Sequence, residues 1–142
     1  MDYLLVDGDQ TIFHPIFEAA QVVVRTGALT ASGPARLGGK KLCVVGDEKS
    51  VKVPGCLYST MSHPMPGTGT LEVAALAGDQ RSGTLTIRDA KVLLVGSRFT
   101  AKFTVDSPAQ QPAPSGPPVP DTKSQYSGTG RFITTNTKFR GS

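Results

Sequence analysis

The stretch of sequence that decides the fold reads FTAKFTV, residues 99–105. Apolar residues occupy every second position, and a strand places such positions on one face: Phe99, Ala101, Phe103 and Val105. This period of two predicts a half-buried β-strand. Two further apolar runs precede it, TLTIR (84–88) and KVLLV (91–95), with short turns at Asp89-Ala90 and Gly96-Ser97. The three segments together predict an antiparallel meander.

More short strands are predicted earlier in the chain. LCVV (42–45) and VKV (51–53) flank five residues, a pattern typical of a β-hairpin, and Pro54-Gly55 is expected to end its second strand. IFEAAQVVV (16–24) and LEVAALA (71–77) fit either a helix or a strand. We interpret both as strands because their neighbours are strands.

The composition agrees with a fold of strands and turns. Of 142 residues, 16 are Gly and 11 are Pro, and both weaken helix interiors. A parallel α/β sheet would need helical crossovers of about a dozen residues, which the short spacings disfavour. We therefore predict an all-β fold, a small cone or compact barrel-like domain of short strands and hairpins with an irregular C-terminal extension. No apolar run approaches the roughly 18 residues of a membrane span, so stable membrane insertion is not expected.

Proline and charge divide the chain near residue 107. Six of the 11 prolines fall between Pro108 and Pro120, which predicts an extended connector. Residues 1–107 carry 11 basic against 10 acidic residues, a net charge of +1, and residues 108–142 carry four against one, a net charge of +3. We predict a β domain at 1–107 and a Pro-rich connector with a basic tail at 108–142. The tail composition favours disorder, with RFIT (131–134) as a short candidate strand.

No residue pattern points to a standard catalytic site or a nucleic-acid surface. The basic residues form no concentrated stripe, so no nucleic-acid partner is expected. Both histidines precede proline, no Ser lies on a nucleophile elbow, and the acids mostly adjoin Gly, where they commonly cap turns.

The chain contains two His and two Cys, enough for a tetrahedral zinc shell: His14, Cys43, Cys56 and His63. No close pair such as Cys-x-x-Cys supports this site. Three alternatives stay open: Cys43 as a small buried apolar residue, a Cys43–Cys56 disulfide, and His63 as the start of a Pro-bounded loop.

Residues 37–80 carry a resemblance to a known family. They read LGGKKLCVVGDEKSVKVPGCLYSTMSHPMPGTGTLEVAALAGDQ, with a Gly-Lys strand, a GDE turn, a V-x-V-P-G-C entry, and His-Pro and Pro-Gly-x-Gly-Thr-Leu loops. With the downstream Gly96 and Phe99, this order resembles the PAAR-like spike-tip proteins of contractile injection systems, among them type VI secretion systems and phage-tail-like extracellular particles. The similarity covers residues 8–107, and only Pro34-Ala35-Arg36 echoes the Pro-Ala-Ala-Arg motif.

The resemblance implies a β cone whose base caps a trimeric β-helical spike, one tip per trimer, and whose apex punctures the target envelope. It implies a non-enzymatic role in a particle assembled in the bacterial cytoplasm and then extracellular or delivered into a target cell. It also implies a structural zinc, here on His14, Cys43, Cys56 and His63, and effector cargo on extensions such as residues 108–142. Two rival functions are a stand-alone β-domain adaptor for a protein partner and, less favoured, a small zinc hydrolase.

Overall fold

The computed structural model describes residues 2–87, 90–136 and 139–141. In these ranges the chain forms sixteen β-strands and two 3₁₀ turns, and it contains no α-helix. The strands are β1 Asp2–Tyr3, β2 Gln10–Phe13, β3 Ile16–Phe17, β4 Ala20–Val22, β5 Gly27–Ala28, β6 Arg36–Leu37, β7 Lys40–Lys41, β8 Lys52–Thr60, β9 Gly67–Ala75, β10 Arg81–Ile87, β11 Ala90–Leu93, β12 Phe99–Ser107, β13 Gln110–Gln111, β14 Val119–Pro120, β15 Gln125–Ile133 and β16 Arg140–Gly141, and the 3₁₀ turns are Asp47–Ser50 and Gly78–Gln80. No helix in the described ranges has the length and apolar character needed to cross a membrane. The all-β prediction is confirmed.

Eight strands form one antiparallel sheet in the order β3-β4-β8-β9-β12-β15-β2-β5. Strands β4 and β5 are distant in this order, yet only residues 23–26 separate them in the chain. Val23 N–H still bonds to Leu57 O of β8 at 2.8 Å, whereas Gly27 already pairs with Thr11 of β2. The chain therefore joins the two sides of the sheet, which curls into the barrel-like shape that the sequence predicted.

The predicted strand at residues 99–105 lies in the middle of this sheet. It extends to Ser107 as β12 and pairs with β9 on one side and β15 on the other. Phe99 and Phe103 are buried on its inner face. On the other face Lys102 forms an ion pair with Glu72 of β9 at 3.4 Å. The period-two pattern thus identified both the strand and its buried face.

Aromatic rings fill the interior of the barrel. Their centroids lie 4.9 to 6.1 Å apart in tilted or edge-to-face pairs: Phe13–Phe99, Phe99–Phe132, Phe17–Phe103, Tyr58–Phe103 and Tyr58–Tyr126. Burial of one Phe side chain stabilises a fold by about 1.5–3 kcal/mol. Gly128 of β15 leaves space for Phe17, because a Cβ at this position would lie 2.6 Å from the ring.

Three two-stranded ladders lie outside the main sheet, and we call them arms. Arm 1 pairs β1 with β16, arm 2 pairs β6 with β7, and arm 3 pairs β10 with β11. A fourth small ladder, β13 with β14, lies in the Pro-rich segment.

Two predicted pairings are wrong. The run at 91–95 pairs with β10 as expected, but β12 joins the main sheet and completes no meander. Arg88, the last residue of the first predicted strand, and Asp89, the first residue of the predicted turn, lie outside the described residues. Residues 42–45 and 51–53 form no hairpin, because a 3₁₀ turn lies between them and β8 pairs with β4 and β9 instead.

The ambiguous and broken segments are strands with local irregularities. The run at 16–24 divides into β3 and β4 around Glu18, whose φ is 57°. Residues 71–75 lie within β9. The expected end of the strand at Pro54-Gly55 is wrong, because β8 continues through both residues with a register shift between Val53 and Cys56 and a φ of 72° at Gly55.

The sheet continues across the predicted boundary at residue 107. Strand β15 lies between β12 and β2, and its Tyr126 and Phe132 are buried in the main core. The expected disorder is therefore wrong for residues 125–133, because their alternating apolar side chains complete the barrel interior. The connector is also attached to the barrel, since Asp121 accepts hydrogen bonds from the hydroxyls of Tyr58 and Tyr126 at 3.0 and 2.6 Å.

We expect Gly128→Ala to destabilise the protein by about 1–3 kcal/mol, because the added methyl group forces Phe17 out of its place in the core. The free energy of unfolding from urea denaturation measures this effect. Gly83→Ala is the matched control, since a Cβ at Gly83 has nothing within 4 Å. Equal stability of the two variants would contradict the packing described here.

Candidate functional site

The two cysteines predicted as zinc ligands lie in the main apolar core. Cys43 is 0% exposed and Cys56 is 1% exposed. Burial raises the pKa of the Cys43 thiol, and the nearby carboxylates of Asp47, Asp9 and Asp7 raise this pKa further. Both thiols are free, so the alternative of a Cys43–Cys56 disulfide is wrong. The structure favours the interpretation of Cys43 as a small buried apolar residue.

The two histidines lie outside the core. His14 is exposed and its Nδ1 accepts a hydrogen bond from Ile16 N–H at 3.3 Å. His63 lies in the loop between β8 and β9, where its N–H donates to the Thr60 hydroxyl at 2.9 Å. No three His, Cys, Asp or Glu side chains within 2–87, 90–136 and 139–141 are grouped to hold a metal ion. The four candidates therefore do not fit a shared zinc shell in this arrangement, and zinc binding stays a prediction that metal analysis of purified protein tests.

A different set of residues does come together at one end of the barrel. Three apolar triplets from distant parts of the chain, 4–6, 42–44 and 92–94, lie side by side. Each triplet pairs its first residue with the third residue of another triplet, and the bridges are Leu4–Leu94, Leu42–Val6 and Val92–Val44. The three triplets are therefore related as the three members of a threefold ring.

Backbone hydrogen bonds follow the same cycle. The N–H of each middle residue donates to the C=O of the middle residue of another triplet: Leu5 to Leu93 at 3.1 Å, Cys43 to Leu5 at 3.0 Å and Leu93 to Cys43 at 3.0 Å. A second set of bonds repeats the cycle one step outward: Asp7 N–H to Lys41 O, Val45 N–H to Lys91 O and Val95 N–H to Tyr3 O, at 2.8 to 3.0 Å. One chain thus builds an arrangement with internal pseudo-threefold symmetry, which we call the triangle.

The triangle separates two apolar cores. Its middle residues, Leu5, Cys43 and Leu93, belong to the main core of the barrel. Flanking residues of the triplets form a second, smaller core, which consists of Leu4, Val6, Leu42, Val92 and Leu94 with Ala35, Leu37 and Ile87 packed against it. Successive residues of an extended segment point to opposite sides. The middle residue of each triplet is therefore buried on one face of the triangle, and the flanking residues are buried on the other.

Each triplet ends in the same kind of turn. The second residue after each triplet is a glycine with positive φ: 85° at Gly8, 110° at Gly46 and 58° at Gly96. L-residues rarely adopt this conformation, so glycine is required there. In the first two turns a buried carboxylate, Asp9 or Asp47, accepts the N–H of the third triplet residue at 2.8 Å.

The third turn replaces this carboxylate with other groups. Ser97 stands where the other two turns have Asp, and the Leu94 N–H donates to Gln80 O at 2.9 Å. The Ser97 hydroxyl donates to Asp79 Oδ1 at 3.0 Å. The threefold relation therefore holds for the backbone while side chains differ between the three corners.

Each arm leads directly into one triplet. Strand β1 of arm 1 precedes residues 4–6, β7 of arm 2 precedes residues 42–44, and β11 of arm 3 contains the start of 92–94. Every arm presents an apolar side chain that is not fully buried: Phe139 beside β16 (49% exposed), Leu37 in arm 2 (half-buried) and Leu85 in arm 3 (40% exposed). A concavity of about 380 Å³ lies between arms 1 and 2, lined among others by Val6, Leu37 and Phe139.

The arms are also basic. Their strands contain six Lys or Arg residues and one acid, Asp2: Arg36, Lys40, Lys41, Arg81, Lys91 and Arg140. The Asp2 carboxylate is engaged within the protein, where it accepts the Gly96 N–H at 2.7 Å. The end of the molecule that carries the arms therefore presents positive charge around exposed apolar residues.

Sequence reasoning did not find the triangle. Its signal was present as three apolar residues, one variable residue and a glycine, in LLVDG (4–8), LCVVG (42–46) and VLLVG (92–96). The unequal spacing of these segments and their short length concealed the repeat.

We expect both thiols to resist modification in the native protein, because burial excludes reagents and keeps Cys43 protonated. A colorimetric thiol reagent at pH 8 should react with neither cysteine in the folded protein and with both after unfolding in guanidinium. Rapid reaction of the native protein would show that one of the two cysteines is accessible.

Comparison with known families agrees with the resemblance seen in the sequence. No curated protein matched the sequence. The whole chain, residues 1–142, matches the family model described as contractile injection system spike tip protein. The chain therefore belongs to the spike tip family of contractile injection systems.

Proposed function

We propose that this protein is a non-enzymatic structural tip that caps a trimeric spike of a contractile injection apparatus, one copy per trimer. The observation that carries the proposal is the triangle, which gives a single chain a threefold arrangement of backbone and arms. Family membership supports the role of a spike tip, and the triangle supports the stoichiometry and the docking end.

Symmetry explains why the triangle suits a trimer. The end of a threefold-symmetric spike offers three equal surfaces around its axis. A single chain without internal symmetry would contact those surfaces unequally. Here each arm enters the triangle at an equivalent corner, so each spike chain can meet one arm.

The chemistry of the arms indicates what the spike end should look like. Exposed apolar residues such as Leu85 and Phe139 are suited to apolar pockets, which commonly supply most of the binding energy of an interface. The basic residues around them favour an acidic rim on the partner, since complementary charges orient and accelerate association. We therefore propose a spike end with an apolar centre and acidic edges.

The barrel behind the triangle fits a mechanical role. The paired strands of the sheet and the aromatic core make a rigid body, and β15 fastens the last part of the chain into it. Residues 125–133 are therefore not free to carry cargo. If cargo is carried, the surface ladder of β13 and β14 in the Pro-rich segment is the more accessible attachment.

Stoichiometry tests the proposal directly. Mixed with the trimeric spike of the same particle, the protein should form a complex of one tip and three spike chains, measured by native mass spectrometry. Three tips per trimer, or no complex, would contradict the assignment. An adaptor function would instead appear as a stable complex with another partner and none with the spike.

Substitution of an arm residue tests the docking end. We expect Phe139→Asp to weaken spike binding by about 10- to 100-fold, because it places a charge in an apolar contact. Val119→Asp is the matched control, since Val119 is similarly exposed (50%) but lies in the Pro-rich ladder. Calorimetric titration gives the affinities, and thermal melts confirm that both variants fold. Equal affinities would place the interface away from the arms.

A further inference from the structure

A basic concavity lies on the outer wall of the barrel, where β2, β15 and β12 run side by side. Its volume is about 220 Å³, and its charged or titratable lining residues are Arg98, Arg131 and His14. Phe13 and Pro15 contribute apolar surface, and the lining contains no Asp or Glu.

The strand register brings the two arginines together. The pairing of β12 with β15 ends at Phe99 and Gly130, and one step further along the same register Arg98, the residue before β12, would stand opposite Arg131. Both arginines line the concavity. Phe99 and Gly130 are buried while both arginines are exposed, which places the guanidinium groups on the outer face. Residues opposite each other on one face of an antiparallel pair have Cβ atoms about 4.5–5.5 Å apart, and like charges at such positions destabilise a sheet.

Neither guanidinium has a compensating acid. The ion pairs in the described part of the chain are Lys102–Glu72 and Lys123–Glu18, and the Arg98 and Arg131 side chains make no hydrogen bond or ion pair with described residues. On the far side of Arg131, β2 places the apolar side chain of Ile12. Two adjacent, uncompensated cations thus face solvent at the opening of a concavity.

Further donors converge on the same place. His14 adjoins Thr129, because its N–H donates to Thr129 O at 2.9 Å. The His14 Nδ1 already accepts the Ile16 N–H, so Nε2 is the ring nitrogen left to face a ligand. Thr129 itself also lines the concavity, and its hydroxyl is a further group that can donate.

We propose that this concavity is a binding site for a phosphate-type oxyanion, held by the guanidinium groups of Arg98 and Arg131 with His14 and Thr129 completing the donor set. Arginine suits this task because its planar fork of N–H groups matches phosphate oxygens in two parallel bonds. A bound anion would also remove the repulsion between the two arginines. The source is either dissolved phosphate or a phosphomonoester headgroup on a lipid surface. The site does not depend on the proposed spike-capping role.

Thermal unfolding at constant ionic strength tests the site with inorganic phosphate. At a phosphate concentration roughly nine times Kd, binding to the native state raises the folding equilibrium constant about tenfold. Arg131→Gln should abolish this increase, and at low salt without phosphate it should melt at or above the wild-type temperature because repulsion is relieved. Lys52→Gln is the matched control, because it removes an exposed cation on β8, away from the concavity. Phosphate should stabilise it as much as the wild type.

Arg98→Gln is a second variant that removes one of the two proposed guanidinium ligands. Phosphate titrations followed by NMR give an independent measurement, the change in chemical shift of the Thr129 and Gly130 amides. If phosphate stabilises Arg131→Gln and Lys52→Gln as much as the wild type, or shifts no amide near the concavity, the proposal is wrong. Vesicles of phosphatidylcholine with and without phosphatidate distinguish the sources. Binding that requires phosphatidate and Arg131 supports a headgroup ligand, whereas a response to inorganic phosphate alone supports the dissolved ion.

Discussion

The cyclic exchange of backbone hydrogen bonds between Leu5, Cys43 and Leu93 is the interaction on which the rest of the structure depends. Each middle residue donates its N–H to one neighbouring triplet and accepts an N–H from the other. The loss of any one of these hydrogen bonds leaves one buried N–H and one buried C=O without a partner. An unpaired buried group costs about 1–3 kcal/mol. This ring connects three segments that lie far apart in the chain, residues 4–6, 42–44 and 92–94, and both apolar cores are built against it.

The two cores give this small protein a packed apolar interior on both sides of the triangle. The inner face of the triangle adds its middle residues to the aromatic core, while the outer face forms the core beneath the arms. A force applied to the arms therefore acts on the triplets, whose middle residues are packed into the barrel core. For the proposed role of capping a spike, this arrangement is more useful than a flexible joint between the arms and the barrel.

The basic residues are unevenly placed in the structure, which the net charge of the protein does not reveal. Basic residues gather on the arms, and a separate pair, Arg98 and Arg131, lines one concavity on the barrel wall. His14, which the sequence suggested as a zinc ligand, lines the concavity beside this pair. The thiols predicted to join it lie in the main core instead.

The sequence by itself determined the all-β class, the strand at residues 99–105 with its buried face, and the family, because alternation and turn residues are local signals. Tertiary structure alone decided the pairing partners. Residues 42–45 pair with two other triplets and form no hairpin, and β15 enters the sheet despite its polar composition. Those choices depend on contacts between segments dozens of residues apart, where three short apolar runs gain more by closing a ring than by pairing with their neighbours in sequence.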